Sequence, residues 1–178
     1  MSAGLLVITI ALYDIFSSKK IVEETLASAE EFIGKTEDET KKGERAEGII
    51  GVLTIPKIER KLPIVEGTSP ADLRKGVGHY KGTALPSEGE QIVLSGHRDT
   101  VFTNFAELSK GDVFIVELST GSYTYEIRKT KIVDADDVSI INPQGEEVLV
   151  VTTCYPFSYI GDAPNRFIFY AYPVEKEE

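Results

Sequence analysis

Three residues in this chain have side chains suited to acyl-transfer chemistry. Cys154 is the only cysteine and ends the apolar run "EEVLVVTTC". His97, one of two histidines, lies in "LSGHRDTVF", directly after the run "QIVLSG". Arg166 follows "GDAPN" and opens the last run, "RFIFYAYPV". A thiol is a nucleophile only as the thiolate, and a free thiol has a pKa of about 8.5. A neighbouring imidazolium would lower that value, and the same ring could protonate a leaving amine. A guanidinium could hold a developing oxyanion and could never act as a base.

Each residue also has a structural reading, and on residue type alone both readings stay open. A lone cysteine is commonly a small buried hydrophobe. His97 could be a hydrogen-bonded loop residue, Arg166 an ion-pair partner of Asp162, and "SGHRD" a turn with an aspartate cap. The joint arrangement favours chemistry, because all three residues sit beside the ends of strand-like runs. There a rigid β scaffold presents reactive groups from loops. Zinc is the rival chemistry. No CxxC, HxxxH or HExxH spacing occurs, and His79 and His97 are not spaced as ligands, so no metal is expected. A phosphate loop and a dinucleotide fingerprint are also missing, so no cofactor is expected.

The elements that must position these groups read as β from Ile49 onward. "IIGVLTIP" is rich in β-branched residues, and "KLPIVEG" carries a proline suited to an edge. "QIVLSG" ends in a glycine. "DVFIVEL" and "SYTYEIRKTKIVDA" flank "STG", a hairpin signal. "EEVLVVTTC" is continuously apolar, as strands buried on both faces are. Helical turns are expected at "SPADLRKG" and "TNFAELSKG". The expected fold class is all-β, a barrel or curled sheet of about eight strands. Only eleven residues separate Cys154 from Arg166. If the last two strands pair as a hairpin, the register brings these two side chains together.

The chain has 178 residues, 42% of them hydrophobic, enough for one domain with a sizeable core and an appended segment. One cysteine cannot make an intramolecular disulfide, so packing must hold the fold. The net charge of −10 argues against nucleic acid as a partner, since phosphate binding needs a basic face.

The N-terminal part differs from the rest. Residues 1–16 contain an apolar run from Gly4 to Leu12, shorter than the roughly 20 residues needed to cross a bilayer. No basic segment precedes it and no cleavage site follows it, as a signal peptide would require. The expectation is a membrane-anchor remnant, the alternative a strand or helix packed on the domain. Residues 17–47 read as a helix followed by a polar tether. Ile21, Val22, Leu26, Ala29 and Ile33 recur at helical spacing, with Ser17 or Ser18 as cap and Gly34 as stop. "TEDETKKGERAEG" is too polar to bury a core. Residues 48–178 form the third unit, the β domain.

At the reactive residues the chain resembles the sortases, cysteine transpeptidases of Gram-positive bacteria. The family signature is a TLxTC strand end, and this chain has Val150-Val151-Thr152-Thr153-Cys154. The Thr-Cys pair matches, and Val-Val replaces the leading Thr-Leu while keeping an apolar strand. "SGHRDTVFTNFAELSKGD" resembles the family's histidine segment. "GVGHYKGTALPSEGEQIVLSGHRDT" and "TTCYPFSYIGDAPNRFIFYA" look most like the class D branch. The resemblance covers about Gly48 to Val174.

This resemblance implies a closed or nearly closed eight-stranded β-barrel with short helical turns and an N-terminal helical or flexible segment. It implies His97, Cys154 and Arg166 as the catalytic residues and Thr153 as a residue at the substrate. His79 matches a histidine of the "GHY" segment that is not catalytic and is read as structural. The implied substrate is a surface protein bearing a Leu-Pro-x-Thr-Gly or Leu-Pro-x-Thr-Ala sorting signal, cleaved after Thr. The implied acceptor is an amine of a peptidoglycan precursor, and the implied site is the outer face of the cell membrane. Two rivals are a hydrolytic cysteine peptidase and a non-enzymatic tethered β-barrel binding module. "TTCYP" does not match the caspase pattern, which weakens the first.

Overall fold

A computed structural model of the chain describes residues 2–34, 48–158, 161 and 163–174. Helix α1 runs from Ser2 to Ile33 without a break. Ser17 and Ser18, expected as caps, therefore lie inside it, while Gly34 follows its last residue as expected. Val22, Thr25 and Ala29 are buried, and Leu26, Phe32 and Ile33 pack with Ala29 against Ile49, Val52 and Val65 of the barrel. That stripe at helical spacing lays the second half of α1 along the first two strands. Among the described residues, no helix is long and apolar enough to cross a membrane. The polar tether falls outside the described residues.

Eight strands follow: β1 (Ile49–Ile55), β2 (Arg60–Glu66), β3 (Val77–His79), β4 (Gln91–Gly96), β5 (Val113–Leu118), β6 (Gly121–Asp134), β7 (Val148–Tyr155) and β8 (Asn165–Pro173). They form a closed barrel in the order β1-β2-β3-β4-β7-β8-β6-β5, and β5 returns to β1. The pairs β2–β3 and β4–β7 are parallel; the others are antiparallel. The hairpin expected at "STG" joins β5 to β6, with Leu118 opposite Gly121 and Gly121 at φ 147°. A helical turn, α2 (Pro70–Leu73), is closed by a reciprocal capping box between Ser69 and Asp72. A 3₁₀ turn covers Phe105–Glu107.

One strand was not among the runs named from the sequence, and one expectation needs correction. β3 is a three-residue strand inside "GVGHY", too short to show a period in the sequence. Pro63 is not on a free edge, because a closed barrel has none. It pairs opposite Val52, and the β2–β3 ladder begins only at Ile64.

Strand pleating sorts the side chains into two sets. Ile92, Leu94, Leu149, Val151 and Phe169 belong to the large cluster that fills the barrel. Their alternates Val93, Val148, Val150 and Ile168 form a second cluster outside it with Val133 and Ile140. β7 is thus buried on both faces, as its unbroken apolar run requires. The segment after β4 is fastened by the core. Val101, Phe102 and Phe105 are fully buried, and Phe102 stacks on Phe105 with ring centroids 4.0 Å apart.

Gly96 makes room for that plug. A Cβ there would lie 2.6 Å from the Phe102 ring. Gly96→Ala should therefore destabilise the fold by about 1–3 kcal/mol through overpacking, read from the midpoint of urea unfolding at an unchanged slope.

Candidate active site

The barrel register brings the three candidate residues together. On β7 and β8, Cys154 pairs directly with Arg166. On β4 and β7, Gly96 pairs with Thr153, so the next position along each parallel strand holds His97 and Cys154. Pleating puts all three on the outer face. Cys154 follows Val148, Val150 and Thr152, His97 follows Val93 and Ser95, and Arg166 precedes Ile168. A slip of one residue in either pairing would turn one of them into the barrel.

Outside that face lies a cavity of about 350 Å³. His97, Cys154, Arg166 and Thr153 line it together with Val93, Ser95, Thr152 and Tyr80, and its roof comes from the segment joining β6 to β7, through Val138, Ile140 and Ile141. Cys154 is partly exposed. The Arg166 guanidinium is steadied locally, its Nη1 donating to the carbonyls of Ala163 (3.3 Å) and Asn165 (3.1 Å). Thr153 is buried and its hydroxyl donates to the Gly96 carbonyl at 2.9 Å, tying β7 to β4 beside the histidine. His79 lies elsewhere: it is buried on β3, with Nδ1 3.2 Å from Glu66 Oε2 and Nε2 3.0 Å from the Ala84 carbonyl.

His97 is solvent-exposed on one side, yet the protein on the other lowers its pKa from the ordinary 6.5 by desolvation. The Asp99 carboxylate opposes that shift and the Arg74 guanidinium adds to it. A lowered imidazole pKa means that the folded chain disfavours the charged ring. The resulting stability is complete above the unfolded value of about 6.5 and is lost as pH falls through the lowered folded value. An NMR titration of the His97 ring should therefore give a midpoint below 6.5.

Two features of the site escaped the sequence. Arg98 is 7% exposed, donates to both carboxylate oxygens of Asp99, and donates through Nη1 to the Pro156 carbonyl at 2.7 Å. It thereby straps the segment after His97 to the segment after Cys154. The Asp99 hydrogen bonds, chiefly, hold this guanidinium charged against burial, and the nearby Cys154 sulfur adds to that. The second is Gln91, buried at the start of β4. Its Nε2 donates to the Ile140 carbonyl (2.8 Å) and its Oε1 accepts from the Asn142 amide (3.1 Å). Glu90 Oε1 accepts from the amides of Gln144 (2.7 Å) and Gly145 (3.2 Å). One strand thus carries the histidine at one end and clamps the cavity roof at the other. The only sequence signal was the position of Gln91, a polar residue opening an apolar strand.

A Sortase domain family model matches residues 53–174. The chain belongs to the sortase family. It is 64% identical over 121 residues to Sortase D of Bacillus subtilis, a match covering 67% of this chain and 61% of that protein. The chain therefore spans about three fifths of this relative. Among solved structures, a Clostridium perfringens Sortase D5 transpeptidase superposes with a TM-score of 0.75 at 26% identity, covering 88% of this chain and 99% of that one. The catalytic domain of B. anthracis SrtD superposes with a TM-score of 0.62 at 46% identity, covering 75% and 92%. The sortase-type barrel expected from the resemblance is the fold observed.

Proposed function

We propose that this sortase is a cysteine transpeptidase that cleaves a Leu-Pro-x-Thr-Gly or Leu-Pro-x-Thr-Ala sorting signal after threonine and joins the acyl part to a cell-wall amine. The observation that carries this reading is the common outward face of His97, Cys154 and Arg166 over one cavity, produced by two strand pairings. The Cys154 thiolate attacks the threonine carbonyl, and its lone pair becomes the new C–S bond. Arg166 stabilises the oxyanion of the tetrahedral intermediate. His97, as imidazolium, gives its proton to the departing amine as the C–N bond breaks, leaving a thioester and a neutral imidazole. An incoming amine of a peptidoglycan precursor attacks the thioester, His97 takes its proton, and the thiolate leaves. Thr153 supplies a wall at the substrate and pins Gly96 next to the histidine.

In this reading residues 48–178 are the catalytic domain, residues 17–47 a helix and tether, and residues 1–16 an apolar segment that serves membrane anchoring. The enzyme then works on the outer face of a Gram-positive cell membrane, on surface proteins that carry the signal. The relatives and the apolar N-terminal run support this placement.

The test is mass spectrometry of the full chain with a Leu-Pro-x-Thr-Gly-x peptide and excess amine. An acyl adduct on Cys154 and a peptide–amine product are expected. A hydrolysed peptide without amine product would make the protein a cysteine peptidase. An intact peptide with an inert thiol would make it a binding module.

A further inference from the structure

The β4–β7 ladder stops just short of His97 and Cys154. Its last pairing is Gly96 with Thr153, and the Thr153 hydroxyl ties that end to the Gly96 carbonyl. Beyond it the two segments are held by different neighbours. β7 goes on pairing with β8 as far as Tyr155. The chain after Gly96 turns into the buried plug, and the amides of Val101 and Phe102 donate to the His97 carbonyl at 3.1 and 2.9 Å. Arg98 joins the two. Its Nη1 donates to the Pro156 carbonyl at 2.7 Å, while Nε and Nη2 hold the Asp99 carboxylate at 3.0 and 3.1 Å. His97 and Cys154 are thus bracketed, by Thr153 and Gly96 before them and by Arg98 and Pro156 after them. The choice of residue is costly. Arg98 is 7% exposed, and burying a guanidinium carries a desolvation penalty. Among the described residues its one ion-pair partner is Asp99, whose side chain is 73% exposed, so solvent screens the pair. An arginine kept there at little gain in stability points to a task at the site.

We propose that Arg98 is a positioning residue: by tying the segment after His97 to the segment after Cys154 it sets the approach of the imidazole to the thiol, and it acts on the reaction through His97. This rests on the transpeptidase reading above. Arg98 does not line the cavity, so its effect falls on the chemical steps rather than on peptide affinity. The planar fork explains why the residue is arginine. Two donors engage Asp99 and leave a third, in fixed geometry, for the Pro156 carbonyl. The same fork fixes the Asp99 carboxylate, which favours the charged form of the His97 ring. Proton transfer between imidazole and reactants is sensitive to such placement, since a shift of about 1 Å can cost about 10²-fold in rate.

The experiment uses the full chain, unsubstituted and with Arg98→Met, Arg98→Lys, His97→Ala, and Arg98→Met combined with His97→Ala. Two rates are read: transpeptidation of a Leu-Pro-x-Thr-Gly-x peptide with excess amine, and alkylation of Cys154 by iodoacetamide. Thermal unfolding shows which variants are folded. Arg98→Met is expected to lower kcat about 10²-fold with KM within about threefold, and to slow alkylation about tenfold. Arg98→Lys keeps the charge and one donor but loses the fork, and recovers part of both rates. In the His97→Ala background Arg98→Met slows alkylation no further, because the histidine that it positions is gone. Equal slowing in both backgrounds would overturn the proposal, since Arg98 would then act on Cys154 without the histidine. So would an unchanged kcat in folded Arg98→Met, or a loss confined to KM. If Arg98→Met does not fold, Arg98→Lys is compared in the same two backgrounds. Failure of both to fold would make Arg98 a structural residue and would also overturn the proposal. A missing acyl adduct in the unsubstituted chain is a different failure. It removes the transpeptidase reading itself, while alkylation in the two backgrounds still decides whether Arg98 acts through His97.

Discussion

Cys154→Ala is expected to abolish both the acyl adduct and the peptide–amine product, lowering turnover by at least about 10⁴-fold, while the barrel stays folded. The reasoning separates chemistry from packing. Cys154 is the last outward residue of β7 before Tyr155, is partly exposed, and belongs to neither apolar cluster. Losing its sulfur leaves a small gap at the cavity wall and none in the core. The β7–β8 register also continues past it to Tyr155 opposite Asn165. The check is mass spectrometry alongside thermal unfolding. Measurable transpeptidation in the alanine variant would remove Cys154 as nucleophile, whatever the fold does.

Arg166→Lys carries the second large effect. It should lower kcat about 10²–10³-fold while leaving KM within a few-fold, because an oxyanion exists only after attack. Lysine keeps the charge but lacks the planar fork, and it cannot donate to the Ala163 and Asn165 carbonyls while aiming further donors at the cavity. Alkylation of Cys154 by iodoacetamide forms no oxyanion. Its rate should therefore change much less than kcat does. Arg166 is only half-buried, and it pairs through its backbone, so the thermal midpoint should move little. Equal losses in alkylation and turnover would instead assign Arg166 to holding the site together.

Both expectations depend on how far each part of the site can be read from the chain. The candidate residues that meet at the cavity were legible because they punctuate strong local patterns. "QIVLSG" and "EEVLVVTTC" end at His97 and Cys154, and the eleven-residue connection made the Cys154–Arg166 pairing foreseeable. The stripe on α1 and the turn at "SPADLRKG" were legible for the same reason. Each depends on residues within a turn or two of one another. The helix start expected at Ser17 or Ser18 was not, because a helix passes through a change of composition as long as its backbone hydrogen bonds continue.

What the sequence by itself determined is therefore a set of strands, their alternating faces, and three chemically complementary groups at their ends. Only the tertiary structure decided that β4 lies parallel beside β7, 57 positions away along the chain from Gly96 to Thr153, which brings His97 and Cys154 to one cavity. It also decided that Arg98 reaches Pro156, that Gln91 grips Ile140 and Asn142, and that the Thr152 hydroxyl is buried without a hydrogen-bond partner among the described residues. The physical reason is common to all four. Periodicity records which way a side chain faces, whereas the partner it meets is set by barrel closure, and backbone amides and carbonyls accept any residue type that arrives.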